Sequence, residues 1–144
     1  MTDARLRTAG LALSLCGVAL AGYLTWVHYA DVQAVCVGGG GSCERVQTSE
    51  YSELAGVPVA LVGLVGYLAL LGAFVVCRDE AVAAAAFLGI AGLGFSAYRT
   101  YVELFTLEAI CQWCVASAVL MTAIAAVATA RFLRAPRLES EAMR

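Results

Sequence analysis

The chain has 144 residues, of which 62% are hydrophobic and 14% are charged, and its mean hydropathy is +0.83. A soluble domain carries about 25% charged residues, so this composition excludes an ordinary water-exposed domain and indicates an integral membrane protein. The net charge of −2 and the lack of a basic cluster argue against a nucleic-acid partner.

Long uncharged segments predict an all-α fold, an integral membrane bundle of four transmembrane helices. Asp, Glu, Lys and Arg are absent from residues 8–30, 54–77, 81–98 and 109–130. A helix rises about 1.5 Å per residue and needs about 20 apolar residues to cross the hydrocarbon, which each segment supplies or approaches. We expect a single membrane domain, residues 1–144, with spans at about 9–30, 55–76, 81–104 and 110–130 and an outer loop at 31–54.

The first apolar segment could instead be a secretory signal peptide. Such a peptide has a shorter apolar region of about 7–15 residues, followed by a small-residue cleavage site and a mature domain. Here the segment is long enough to span a membrane and further apolar segments follow it, which favours a retained helix.

The outer loop contains an unusual stretch, Cys36-Val37-Gly38-Gly39-Gly40-Gly41-Ser42-Cys43, in which two thiols flank four glycines. The glycines argue against a helix or strand here. They also let the chain double back, as two cysteines must do to bring their Cα atoms within about 4.4–6.8 Å of each other. The loop could be mobile, so that its cysteine pair faces two partners in turn, or it could be a structural staple.

A second cysteine pair lies in the motif CQWC, residues 111–114, at the start of the fourth predicted span. Free backbone N–H groups and the helix dipole at a helix start favour a thiolate, and CxxC spacing lets two sulfurs exchange or bond. Glu108 should oppose the ionisation of Cys111. The motif indicates a redox pair, with a zinc site shared by the two cysteine pairs as the alternative.

The other thiols and the charged or titratable residues near the spans allow structural roles. Cys16 and Cys77 are expected to act as small apolar residues. Arg99 and Glu103 are four residues apart, which predicts an ion pair on one helix face or simple snorkelling at the interface. The alternative is that Arg99 stabilises a thiolate or a partner contact. His28, the only histidine, is expected in the interfacial aromatic belt, with proton transfer as its alternative role.

Arginine placement predicts the orientation of the bundle. Arg45 and Arg99 fall on the outer side. The others fall in the terminal segments or the turn at 77–80, which share the opposite side of a four-span bundle: Arg5, Arg7, Arg78, Arg131, Arg134, Arg137 and Arg144. Positive charge near span ends resists export, so we expect an inner or cytoplasmic membrane protein with cytoplasmic termini and an outside cysteine loop, where disulfides persist.

Two further runs accompany the cysteine pairs in a recognisable order. They are Cys43-Glu44-Arg45-Val46-Gln47-Thr48-Ser49 and Ala55-Gly56-Val57-Pro58-Val59-Ala60-Leu61-Val62-Gly63-Leu64, placed before CQWC. This order resembles the bacterial vitamin K epoxide reductase family over nearly the whole chain. The quinone-coupled family of the DsbB type is also a four-helix oxidase, but it carries its CxxC in the first outer loop, and that reversed order argues against it.

The resemblance implies a membrane thiol:quinone oxidoreductase that supports disulfide formation. Electrons would pass from an extracytoplasmic thioredoxin-like protein to a membrane quinone, either menaquinone or ubiquinone, with no metal. It implies that Cys36 and Cys43 are the shuttle pair, that Cys111 and Cys114 are the active-site pair with Cys114 nearest the quinone, and that Ser49 supplies a supporting hydroxyl.

The chain also departs from the family pattern. Many bacterial members fuse a thioredoxin-like domain after the last helix, whereas this chain stops shortly after it, so the partner is expected to be a separate DsbA-like protein. Animal members contact the quinone through an asparagine and a tyrosine where this chain has Ser52 and Ala118. We expect Ser52 to contact the quinone. We also expect the substrate to be a quinone rather than a quinone epoxide. The alternatives are epoxide reduction and a non-enzymatic membrane protein with a disulfide-stapled loop.

Overall fold

The structure is a computed structural model that describes residues 2–38 and 41–142, with side chains described as far as residue 135. Gly39, Gly40 and Arg144, which entered the sequence predictions, lie outside the described residues. The fold is predominantly helical. Its elements are α1 (Asp3–Ala30), α2 (Gly41–Gln47), a 3-10 turn (Glu50–Ser52), β1 (Glu53–Leu54), β2 (Val57–Pro58), α3 (Val59–Val75), α4 (Asp79–Phe105) and α5 (Gln112–Ala142).

Within this described part of the chain, three helices are long and apolar enough to cross a membrane. They are Asp3–Ala30, Asp79–Phe105 and the Gln112–Ala135 part of α5. Helix α3 is apolar but shorter, at 17 residues. The structure thus confirms a mostly helical membrane protein, and the fourth span stays a prediction.

The four long helices share one apolar core. Helix α1 packs against α3 and α5, and α4 packs against the same two helices. The most buried members of the core are Ala21, Tyr67, Leu70, Phe74, Ala85, Met121, Ile124 and Ala128. Close approach of α1 to α3 depends on small residues, because a Cβ atom at Gly17 would lie 2.2 Å from the Tyr67 ring and one at Gly10 would lie 2.3 Å from Phe74.

Arginine side chains tie the helices together at the end of the bundle far from the cysteine pairs. Arg131 Nε donates to Asp3 Oδ1 at 2.8 Å, which joins α5 to the start of α1. Arg7 donates to the carbonyl oxygens of Phe74 and Val75 at 2.9 Å each. Those carbonyls belong to the last turn of α3, where no intrahelical N–H is available to them.

The outer segment between α1 and α3 is more regular than the sequence predicted. The expectation that the glycine stretch excludes a helix was wrong at its end, because α2 begins at Gly41 and carries Cys43. Cys43 and Val46, one turn apart, are both buried, so tertiary burial stabilises a short helix that local propensity disfavours.

A two-stranded hairpin occupies the position where the second span was expected to begin. Leu54 pairs with Val57 in an antiparallel ladder. Between them Ala55 and Gly56 both have positive φ, 53° and 81°, as a two-residue hairpin turn of type I′ requires. Helix α3 therefore begins at Val59 rather than at residue 55, which leaves it shorter than the predicted span.

Candidate active site

The four cysteines of the two predicted pairs meet at one end of the bundle. Cys36 and Cys43 are joined in a disulfide, whereas Cys111 and Cys114 are free thiols. Cys43 is 5% exposed and Cys111 is fully buried in the same apolar cluster. Cys36 and Cys114 pack against this cluster. The loop disulfide and the CQWC pair are thus neighbours, one oxidised and the other reduced.

Helix α2 directs one face at the CQWC motif. Val46 and Gln47 lie three and four residues after Cys43, so their side chains fall on the same side of the helix as that of Cys43. Gln47 Nε2 donates to Cys111 Sγ at 3.9 Å. Sequence reasoning missed Gln47 as a site residue, although its spacing of four from Cys43 was the available signal.

Cys111 stands immediately before α5, where its sulfur meets the free N–H groups of the helix start. The hydrogen bond from the Cys114 thiol lowers the pKa of Cys111 most, and burial opposes it. The backbone N–H groups of Cys114 and Trp113 lower the pKa further, while the charge of Glu103 raises it. The balance lowers the pKa of Cys111 to about 6, which is the direction predicted from its position at a helix start.

Glu103 of α4 is a buried carboxylate beside the CQWC pair. It is 3% exposed, and its Oε2 accepts the backbone N–H of Cys111 at 3.1 Å. It interacts electrostatically with both Cys111 and Cys114. The structure therefore identifies Glu103, not the exposed Glu108, as the acidic neighbour of the thiols.

The predicted ion pair between Arg99 and Glu103 is wrong because each side chain has another partner. Arg99 is buried, and its guanidinium donates to the backbone carbonyl of Tyr51 in the outer segment. Arg99 thus connects α4 to the turn that precedes the hairpin. The i, i+4 spacing places the two residues on one helix face, but it carries no information about partners in other elements.

An apolar cavity of about 290 Å³ lies among the long helices beneath the cysteine cluster. Cys114 and Ser52 are in its wall, as are Tyr67 and Ser117. The Tyr67 hydroxyl lies 2.9 Å from Ser117 Oγ, which gives the apolar wall a polar pair. Cys114 and Ser52, the two residues predicted to contact a quinone, thus line the same apolar cavity.

A second, more polar cavity of about 420 Å³ lies between the end of α1 and the outer segment. Ser49 lines this cavity, and its hydroxyl donates to the carbonyl of Val46 at 2.8 Å. His28 lines both cavities, and its Nε2 lies 3.7 Å from Glu53 Oε1. Ser49 is thus held beside the polar cavity, and His28 stands where the two cavities adjoin.

No arrangement that supports the zinc alternative is found among the described side chains, those of residues 2–38 and 41–135. No group of three or more His, Cys, Asp or Glu side chains there is placed to hold a metal ion. Cys36 and Cys43, which that site needs as thiolates, are bonded to each other.

Comparison with known protein families gives one match that covers most of the chain. The model of the Vitamin K epoxide reductase family matches residues 9–129, which include both cysteine pairs and all four long helices in whole or in large part. Members of this family are oxidoreductases that use a quinone. The match, the apolar helices and the paired cysteines together show that this chain is a membrane protein belonging to the vitamin K epoxide reductase family.

Proposed function

We propose that this protein is a thiol:quinone oxidoreductase that oxidises a separate thioredoxin-like, DsbA-like protein outside the cytoplasmic membrane and so supports disulfide formation. The observation that carries the proposal is that the Cys36–Cys43 disulfide and the free Cys111 and Cys114 thiols share one buried cluster, with Cys114 also in the wall of an apolar cavity. Two cysteine pairs in different redox states and in one cluster are what a thiol relay requires.

Exposure supports Cys36 as the sulfur that the partner protein attacks. Cys36 is partly exposed, whereas Cys43 is 5% exposed and belongs to the same buried cluster as Cys111. Attack by a partner thiolate on Cys36 forms a mixed disulfide and releases Cys43 as a thiolate. The thiolate is then released on the side of the loop that faces the active-site pair.

The Cys43 thiolate next attacks Cys111 of an oxidised Cys111–Cys114 pair. The Cys43–Cys111 bond forms, and Cys114 leaves as a thiolate beside the apolar cavity. The second thiol of the partner then attacks the partner sulfur that is bonded to Cys36. The partner leaves with its own disulfide formed, and Cys36 is released as a thiolate. Cys36 then attacks Cys43, so the loop disulfide forms again and Cys111 leaves as a thiolate.

This sequence ends with the loop pair oxidised and the CQWC pair reduced, which is the redox state of the cysteines in the structure. The low pKa of Cys111, about 6, favours it as the leaving group in the last exchange. Two electrons have then passed from the partner to Cys111 and Cys114. A quinone is the terminal acceptor of these two electrons. It binds in the apolar cavity, whose wall includes Cys114 and Ser52.

The membrane arrangement is part of the proposal. We infer one membrane domain with four spans, in which α3 is the short one, since about 17 residues is the lower limit for a spanning helix. Both termini are cytoplasmic, and the cysteine cluster is on the extracytoplasmic side. The arginines at the far end of the bundle, with Arg7, Arg78 and Arg131 among the described ones, support this orientation.

Quinone reduction by the purified protein in detergent tests the function. The reductant is a reduced thioredoxin-like protein or, separately, a small dithiol, and the variants are Cys114→Ala and Cys36→Ala. We expect wild type to reduce quinone with both reductants and Cys114→Ala to be inactive with both. Cys36→Ala should lose turnover with the protein reductant but retain it with the small dithiol.

The same assay separates the alternatives. A protein in which the loop disulfide is only a staple shows no quinone-dependent thiol oxidation, and its Cys114→Ala variant differs from wild type at most in stability. An epoxide reductase converts a quinone epoxide with the same dithiol. Inactivity of wild type with every quinone and every dithiol would overturn the proposed function.

A further inference from the structure

The backbone on either side of Cys36 is held by the two residues inside the CQWC motif. The carbonyl of Val35 accepts hydrogen bonds from Trp113 Nε1 at 2.9 Å and from Gln112 Nε2 at 3.3 Å. The N–H of Val37 donates to Gln112 Oε1 at 3.2 Å. The side-chain amide of Gln112 therefore bonds to both neighbours of Cys36.

A third contact comes from α1. The N–H of Val35 donates to the Tyr23 hydroxyl at 3.0 Å. The ring of Tyr23 packs against that of Trp113, with 5.0 Å between their centroids. Tyr23, Gln112 and Trp113 thus form one connected group around residues 35–37, which we call the loop clasp.

The side chains of Val35 and Val37 add little packing to this attachment. Val35 is 72% exposed and Val37 is 90% exposed, and neither residue belongs to a helix or strand. Exposed hydrogen bonds exchange readily for bonds with water, so the attachment can open without disturbing the apolar core. By contrast, Cys43 at the other end of the disulfide is anchored by a buried helix face.

We propose that Gln112 and Trp113, supported by Tyr23, are positioning residues that dock the Cys36 segment onto the active-site pair during each redox cycle. The inference rests on the proposed function and concerns its last exchange. Once Cys43 is bonded to Cys111, a Cys36 thiolate must reach Cys43, form the Cys36–Cys43 bond and release Cys111 as a thiolate. The loop clasp holds Cys36 at the position from which this attack occurs, and its exposed bonds let the segment open for the partner protein.

Trapping the Cys43–Cys111 intermediate tests the loop clasp. Wild type and Gln112→Met are acid-quenched during steady turnover with a reduced thioredoxin-like protein and quinone, and the bonded cysteines are identified by mass spectrometry. Met preserves the length of the side chain but removes the bonds to Val35 and Val37. We expect the trapped fraction to rise about three- to tenfold, the amount that the loss of one or two exposed hydrogen bonds gives.

Two further variants make the result specific. Gln33→Met changes an exposed amide in the same loop and should behave as wild type. Trp113→Phe keeps a ring against Tyr23 but loses the Nε1–H donor, and it should raise the trapped fraction as Gln112→Met does. The loop clasp is proposed to speed the attack of Cys36 on the Cys43–Cys111 disulfide. An unchanged trapped fraction in Gln112→Met and in Trp113→Phe, both active, would therefore overturn the proposal.

Amide hydrogen exchange tests the loop clasp without catalysis. The Val37 N–H should exchange faster in Gln112→Met than in Gln33→Met, because only the first substitution removes its acceptor. Equal exchange at Val37 would refute the clasp even in an active enzyme. Inactivity of wild type together with faster exchange in Gln112→Met would instead count against the proposed function, so the two failures can be told apart.

Discussion

Cys111 is fully buried, and burial alone would raise the pKa of a thiol. Its pKa is nevertheless lowered to about 6, chiefly because the Cys114 thiol donates a hydrogen bond to its sulfur. In the reduced CQWC pair the thiolate form is thus favoured at Cys111, in the same cluster as the loop disulfide.

Removing the Cys114 donor should make Cys111 a weaker acid. We expect Cys114→Ala to raise the pKa of Cys111 by about 1 or more, because a hydrogen bond to a charged group contributes about 1.5–3 kcal/mol and one pH unit corresponds to about 1.4 kcal/mol. Cys114→Ser keeps a hydrogen-bond donor, so the pKa of Cys111 in that variant should stay close to about 6. The ultraviolet absorbance of the thiolate against pH measures both, in a background where Cys16 and Cys77 are alanine. Similar curves for the two variants would contradict this account.

The charge of Glu103 has the opposite effect on Cys111. Glu103→Gln retains an oxygen to accept the Cys111 N–H but removes the negative charge that raises the pKa of Cys111. The pKa should therefore fall below about 6, and the thiolate titration should move to lower pH. Glu108→Gln removes an exposed carboxylate from the segment between α4 and α5, and as the control it should leave the curve unchanged. An upward shift for Glu103→Gln would show that its charge is not what opposes ionisation.

The residue-scale features differ in how far the sequence could predict them. The two cysteine pairs stood out by spacing alone, and so did the acidity of a cysteine at a helix start. The roles of Glu103 and Gln47 depend on contacts between elements that are distant in the chain, such as the bond from Glu103 to Cys111. Local spacing carries no information about such contacts, and for Arg99 it predicted the wrong partner.

At the scale of elements, the contact between α1 and α3 leaves no space for a side chain at Gly17. An added Cβ would lie 2.2 Å from the ring of Tyr67, which is 1% exposed and cannot move without displacing its neighbours. Gly17→Ala should therefore lower the free energy of unfolding by about 1–3 kcal/mol, as overpacking does. Thermal unfolding in detergent measures the change.

Gly72→Ala is the matched control for this packing. Apart from its chain neighbours and the backbone of its own helix, no atom of the described residues lies within 4 Å of a Cβ built at Gly72, which is also inside a helix. The substitution should be neutral or should stabilise the protein by up to about 1 kcal/mol, because alanine favours a helix more than glycine does. If Gly17→Ala is as stable as Gly72→Ala, the close approach of α1 to α3 is not a constraint on the fold.

The same scale shows why the outer segment was harder to predict than the long helices. The long helices follow from uncharged runs, which is a property of each run by itself. Helix α2 forms within a glycine-rich loop because Cys43 and Val46 are buried against another part of the chain. The β1–β2 hairpin depends on a turn in which Ala55 has positive φ, and an alanine does not predict that conformation.

Across the whole molecule, the two ends of the bundle differ in chemistry. One end holds both cysteine pairs and the cavities. The other holds the Asp3–Arg131 ion pair, the bonds from Arg7 to the end of α3 and the turn that contains Cys77. If positive charge sets the orientation, the end with the arginines is cytoplasmic. Cys77 and the cysteine loop should then be accessible from opposite sides of the membrane.

Labelling with a membrane-impermeant maleimide tests this orientation. The variant Cys16→Ala keeps Cys77, an exposed thiol, and we expect no labelling of Cys77 in intact spheroplasts but clear labelling in inverted membrane vesicles. Gln33→Cys with Cys77→Ala and Cys16→Ala places the reporter in the outer loop and should give the reverse pattern. Labelling of Cys77 in intact spheroplasts would place the cysteine pairs in the cytoplasm, where the loop disulfide would be reduced and could not accept electrons from an extracytoplasmic partner.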